Sequence, residues 1–176
     1  MTPTEQFIAR LESLKTGDRA RLRQLAGQPL DHTLQGFDLF TGLWWPLRQR
    51  SPQAPERRSA WLVAKLYGAF RVPNVRAAPA TLPCVLGRAE PREEKAQERF
   101  RQRFDALLLS PLARVESHLR WALGVARDAV DKGRESGLDW VQLLEDLRFW
   151  DRGAEGARDI REEWAKQYLD AAEKRS

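Results

Sequence analysis

An all-α fold is predicted by three observations. Apolar residues recur at helical spacing along most of the chain, cap and proline signals punctuate the periodic stretches, and no run alternates apolar with polar residues as a half-buried strand does. The 176 residues suffice for one good core or two short lobes, and 42% hydrophobic content with seven Trp and seven Phe supplies apolar area to bury. No apolar run approaches the roughly 20 residues of a membrane span, and Met-Thr-Pro-Thr-Glu-Gln lacks the pattern of a signal peptide, so a cytoplasmic protein with no membrane partner is expected.

The elements follow in order. Thr2-Pro3-Thr4-Glu5 starts the first helix, because Thr2 can cap it, Pro3 suits its first position and Glu5 completes a capping box. Phe7, Leu11 and Leu14 mark its inner face. Gly17-Asp18 ends that helix and caps a second, with Leu22 and Leu25 inward, Arg19, Arg21 and Arg23 around them, and Gly27 and Pro29 as its stop. Phe37, Phe40, Leu43 and Trp44 predict a short aromatic helix ahead of Pro46, and Arg48 to Arg58, with Pro52 and Pro55, reads as a loop. Trp61, Ala64 and Gly68 on one face, with Leu62, Leu66 and Ala69 on the next, predict a helix apolar enough to be central.

From Arg71 to Pro91 the chain has Pro73, Pro79, Pro83, Pro91 and Gly87 and few periodic apolar positions. This is the longest irregular stretch, and it divides the chain into an N-terminal unit 1–75, a linker 76–91 and a C-terminal unit 92–176. Beyond Pro91 a helix carries Phe100, Phe104, Leu107 and Leu108. Ser110-Pro111 starts another, faced by Leu112, Val115, Leu119, Ala122, Ala126 and Val130 and ended by Gly133 and Gly137. Asp139 caps a helix with Trp140, Leu143, Leu147 and Trp150, and Ile160, Trp164 and Tyr168 define the last.

Chemistry is largely excluded. Cys84 is the only cysteine, so no intrachain disulfide or cysteine metal site can form, and its apolar flanks suit a buried, inert thiol. His32 and His118 form neither a helical metal pair nor a nucleophile motif. Glu145 with Asp146, and Glu162 with Glu163, are adjacent and diverge on a helix, and Leu86-Gly87-Arg88 has too few glycines for a phosphate nest. No catalytic residue, metal or cofactor is expected.

Charge is more informative. Between Leu39 and Arg88 eight basic residues (Arg48, Arg50, Arg57, Arg58, Lys65, Arg71, Arg76, Arg88) stand against one acid, Glu56, whereas from Glu90 onward 17 Lys and Arg meet 19 Asp and Glu. Such a local excess points to a polyanionic partner. The 24 Arg against six Lys favour bidentate phosphate contacts, although GC-rich coding produces the same bias, so position must decide. Arg19, Arg21 and Arg23, then Arg57 and Arg58, Arg88, Arg99 and Arg103, and Arg120 and Arg127 place guanidiniums on several helices, and together they can form a groove for a phosphate backbone. Arg57 and Arg58, with only Glu56 nearby, rank first. Of the adjacent Trp44 and Trp45, one is expected to face outward for a partner or a base.

The order of short segments resembles a known family, the small subunit (CasB) of the type I-E CRISPR Cascade surveillance complex. The segments are Phe7-Ile8-Ala9-Arg10-Leu11, Gly17-Asp18-Arg19-Ala20-Arg21-Leu22-Arg23, Trp61-Leu62-Val63-Ala64, Leu86-Gly87-Arg88, Arg103-Phe104-Asp105-Ala106-Leu107-Leu108, His118-Leu119-Arg120, Leu138-Asp139-Trp140, Asp146-Leu147-Arg148-Phe149-Trp150 and Arg158-Asp159-Ile160-Arg161-Glu162-Glu163-Trp164. The resemblance implies two small packed helical bundles and no catalytic activity. It also implies as partners the large and backbone Cascade subunits, a second copy of the chain, the guide RNA, and the target and displaced DNA strands, whose R-loop the subunit steadies. By carry-over the nucleic-acid contacts are Arg57, Arg88, Arg103, Arg120, Arg158 and Arg161. The chain departs from the pattern at Arg120-Trp121, where some relatives carry two arginines, and in a longer Gly133 to Gly137 connection. From the residues alone, a helical scaffold whose basic face meets acidic proteins stays open, as does a nuclease.

Overall fold

The Thr2 hydroxyl accepts from the Glu5 amide at 3.1 Å while the Glu5 carboxylate accepts from the Thr2 amide at 2.8 Å, closing the expected capping box ahead of α1 (Pro3–Glu12). A computed structural model describes residues 1–24, 34–155 and 158–175 of the chain, with the side chains of 34–38 and 154–155 outside the description. Eight further helices follow among the described residues: α2 (Thr16–Gln24), α3 (Leu34–Arg50), α4 (Arg57–Phe70), α5 (Leu82–Ala89), α6 (Glu94–Leu109), α7 (Glu116–Asp131), α8 (Trp140–Arg148) and α9 (Ile160–Lys174). Apart from one isolated bridge between Asn74 and Leu138 the described residues form no strand, so the fold is all-α. Leu25, Gly27, Pro29 and His32, and the side chain of Phe37, lie outside the described residues. None of the described helices is long and apolar enough to cross a membrane.

Helix boundaries differ from expectation for identifiable reasons. The first helix ends early, at Ser13, whose amide and hydroxyl satisfy the last carbonyls without a glycine, so Gly17 and Asp18 fall inside α2. Pro46 does not stop α3. The carbonyl that loses its donor there is that of Gly42, an exposed position open to water, and aromatic packing holds the helix on both sides. Phe40 stacks on Trp44 at 5.7 Å and meets Phe7 and Trp61 edge-on, while Trp44 Nε1 donates to the Pro55 carbonyl at 2.7 Å. The loop therefore shortens to 51–56, with Arg57 and Arg58 opening α4.

The segment 76–91, expected to be an irregular linker, carries α5. Leu82, Val85 and Leu86 are fully or almost fully buried, and α5 makes its most extensive contact with α9. The two helices cross at Gly87, where a methyl group would overlap the Tyr168 carbonyl and crowd Ala171. The proline-rich residues before α5 lie along the connection ahead of α8: the Val75 amide donates to the Leu138 carbonyl at 2.9 Å, and the Leu138 amide to the Pro73 carbonyl at 2.8 Å. Gly137 permits that approach, since a Cβ there would collide with the Pro73 backbone.

At the centre lies α4, buried without interruption from Ser59 to Gly68 and touching α2, α3, α7 and α8. Contacts thus join elements from both ends of the chain, and the Thr4 hydroxyl of α1 donates to the Glu145 carboxylate on α8. The core tryptophans are satisfied as well as buried: Trp140 donates to the Val72 carbonyl, Trp150 to the Ser110 carbonyl and Trp164 to Asp146, each at 2.8 Å.

Candidate nucleic-acid interface

Much of the basic excess between Leu39 and Arg88 is neutralised inside the molecule. Lys65 is buried, with its ammonium 2.5 Å from Glu116 and 5.5 Å from the Trp61 ring centroid. Arg76 donates at 3.0 Å to both carboxylate oxygens of Asp139, Arg88 makes a bidentate pair with Glu135 at 2.6 and 3.0 Å and reaches the Pro79 carbonyl, and Arg48 donates to the carbonyls of Pro52 and Ala54. Glu116, Glu135 and Asp139 all come from the charge-balanced C-terminal half. A balanced count there hides the reverse: with its acids committed elsewhere, several of its arginines stand exposed.

Those arginines gather on α6, α7 and the turn after α7. A cleft of about 770 Å³ is lined by Arg88, Phe100, Arg120, Trp121 and Arg134, and also by Asp128, Glu135 and Lys174. A second, of about 520 Å³, is walled by Arg99, Arg103, Ser117, His118 and Trp121. Trp121 belongs to both. Arg99, Arg103, Arg120 and Arg134 are exposed and make no ion pair among the described residues. Arg103 lies 5.9 Å from the Trp121 ring centroid, and Phe100 packs against the same ring at 5.1 Å and 67°. A guanidinium held by aromatic surface rather than by a carboxylate, as that of Arg103 is, keeps its donors for an external anion.

The other expected site residues are placed differently. Arg19 donates to the Glu12 carbonyl at 2.6 Å, and Arg21 lies 3.5 Å from Asp18. Arg23 and Arg58 are exposed, and Arg57 is half-buried at the start of α4. None of these five lines either cleft. Arg127 donates to the Arg71 carbonyl and to Asp131. Arg158 forms a bidentate pair with Glu163 at 3.0 and 2.6 Å, and that hydrogen bonding raises its pKa and lowers that of Glu163. It lines a third cleft of about 570 Å³, with Arg76, Thr81, Asp139 and a half-buried Cys84. Arg161 sits over the Trp150 ring at 5.3 Å, 3.6 Å from Asp151.

A family model described as CRISPR-associated protein Cse2 (CRISPR_cse2) matches residues 18–169. The chain belongs to the Cse2 family. No curated protein sequence matches it closely. Among solved structures, a CRISPR-associated Cse2-family protein from Thermus thermophilus is similar with a TM-score of 0.70 and 24% identity, covering 97% of this chain and 99% of that one. CasB from M. ruber is similar with a TM-score of 0.68 and 20% identity, covering 98% and 93%. At these identities the likeness is one of fold.

Of the arginines carried over onto this Cse2-family chain, Arg103 and Arg120 come together around Trp121, and Arg88 reaches the same cleft with its guanidinium already clamped by Glu135. Arg57, Arg158 and Arg161 lie apart from both clefts. Two members of the cluster escaped sequence reasoning. Arg134 lies in the Gly133 to Gly137 connection, where no periodicity assigns a face. Trp121 follows a candidate arginine, and its departure from the family pattern was the available signal.

Proposed function

We propose that the chain is a non-catalytic small subunit of a CRISPR Cascade complex, holding single-stranded nucleic acid by its phosphate backbone along the α6–α7 face. The observation that carries this reading is the set Arg99, Arg103, Arg120 and Arg134, exposed and without ion pairs among the described residues, around two clefts that meet at Trp121. Each retains a planar fork of donors suited to phosphate oxygens. Membership of the Cse2 family supports the setting. The proposed partners are the large and backbone subunits, a second copy of the chain, the guide RNA, and the target and displaced DNA strands. Contacts to phosphate suit this task, because pairing with the guide selects the sequence while protein contacts tip a nearly balanced strand exchange.

The test replaces Arg99, Arg103, Arg120 and Arg134 together with Ala, verifies the fold by thermal melting, and titrates a single-stranded DNA oligonucleotide at two ionic strengths. The expected result is weaker binding at low salt and a salt slope shallower by about 0.7 for each arginine that engaged a phosphate. Unchanged affinity and slope in a folded variant would sink the assigned surface.

A further inference from the structure

We propose that Trp121 is a stacking platform for an unpaired nucleobase, so that the α6–α7 face takes single strands in preference to duplex. This inference rests on the phosphate-binding reading of the same face and adds the base to it. Trp140, Trp150 and Trp164 show what a structural tryptophan looks like in this protein: each is at most 1% exposed and donates its indole N–H to a protein acceptor. Trp121 does neither. It is half-buried, its indole N–H has no protein acceptor among the described residues, and its ring contributes to the walls of both clefts.

The ring is also held in place. Phe100 packs against it at 5.1 Å and 67°, and Phe100 lies 6.3 Å from Tyr168, which stacks on Phe104 at 4.3 Å. This aromatic row anchors the indole to the core, so little side-chain freedom remains to be lost when a flat ligand stacks on it. Around the ring, Arg99 and Arg103 line one cleft and Arg120 and Arg134 the other, so a strand with phosphates in both must pass Trp121. Arg103 now lies over the ring, 5.9 Å from its centroid, and its flexible side chain swings aside to admit a base and then covers the outer face of that base. Trp45, which is exposed, has no cation over its ring among the described residues and lines neither cleft. A base inside a duplex already stacks on its neighbours and has no free face, whereas an unpaired base of any identity offers one.

The experiment compares the full chain with Trp121→Leu and Trp121→Phe on three probes of equal length: a thymine-bearing single strand, a single strand of abasic sites, and a duplex. The unmodified chain should bind the base-bearing strand roughly tenfold more tightly than the abasic one. Trp121→Leu should lose that preference while keeping its salt slope, and Trp121→Phe should keep most of it. Equal binding of abasic and base-bearing strands, with a steep salt dependence, overturns the stacking role and leaves the phosphate reading intact. Loss of affinity for both strands alike in folded Trp121→Leu also overturns it, by marking the residue as a support for the arginines. Absence of binding to any probe by the unmodified chain overturns the phosphate reading and this one with it.

Discussion

The hydroxyl of Tyr168 on α9 donates to the carboxylate of Glu90, 78 residues earlier at the end of α5. The same fully buried carboxylate accepts from Arg101 at 2.7 and 3.1 Å, from Gln97 at 2.7 Å and from Arg175 at 2.7 Å. One acid thus ties α5, α6 and α9 together. Burial alone would raise its pKa, but the hydrogen bonds from Arg101, Tyr168, Arg175 and Gln97 outweigh burial and hold it at about 2.

An acid-sensitive stability follows from that carboxylate. Its folded pKa lies below the ordinary value of 4.5, so its contribution is complete above that pH and is lost as pH falls toward 2. Glu90→Gln is expected to destabilise the protein by about 3 kcal/mol at neutral pH, because the neighbouring guanidiniums lose their counter-charge. Melting temperatures across pH 2 to 7 check this: the variant should lack part of the acid loss seen in the unmodified chain, and parallel curves would refute the assignment.

Two glycines should respond in opposite ways to alanine. At Gly87 the new methyl group meets the Tyr168 backbone and Ala171, so α5 and α9 must separate, at an expected cost of about 2 kcal/mol or more. At Gly124 the nearest atom is Phe70 Cε1 at 3.9 Å, and the gain in helix propensity is worth up to about 1 kcal/mol. Urea denaturation of Gly87→Ala and Gly124→Ala reads both signs, and a stable Gly87→Ala would contradict the close crossing.

The basic residues committed inside the fold should matter for stability, and Lys65, which lines neither cleft, should not matter for polyanion binding. Lys65→Met leaves Glu116 without its buried partner, and Arg88→Ala frees Glu135 and the Pro79 carbonyl; each is expected to cost about 1–3 kcal/mol. For a chain of this length that is a fall of several degrees in melting temperature. The salt slope for single-stranded DNA should stay unchanged in Lys65→Met. A stable variant with a shallower slope would return Lys65 to the binding surface.

How far the sequence carried the fold depends on how each helix declares itself. In α7 and α9, Leu119, Ala122, Ala126, Trp164 and Tyr168 stand at helical spacing against a polar opposite face, and all are buried. Thr2 and Asp139 announce helix starts through local chemistry alone, and Asp159, a cap not anticipated for α9, does the same work there. α5 declared nothing: it is eight residues long, contains Pro83 and Gly87, and is stabilised by a helix that arrives much later in the chain. The site divides in the same way. That Arg88 and Arg76 are engaged is invisible in their surroundings, because Glu135 and Asp139 lie 47 and 63 residues away, whereas Arg120 was recognisable from its helix.

The pairing of α5 with α9 has a consequence for how the protein is made. A chain leaving the ribosome at about 5–20 residues per second completes Leu82, Val85 and Leu86 well before Ile160, Trp164 and Tyr168 exist. For roughly five to fifteen seconds the Gly87 saddle of nascent α5 lacks its cover, since α7 can pack on another side of α5 earlier but Tyr168, Ala171 and Ala172 arrive only with α9. Arg101 meets Glu90 within that interval, but Tyr168 and Arg175 come only at the end. The length of this vulnerable interval is set by the order in which the helices are synthesised, not by how firmly they finally hold one another.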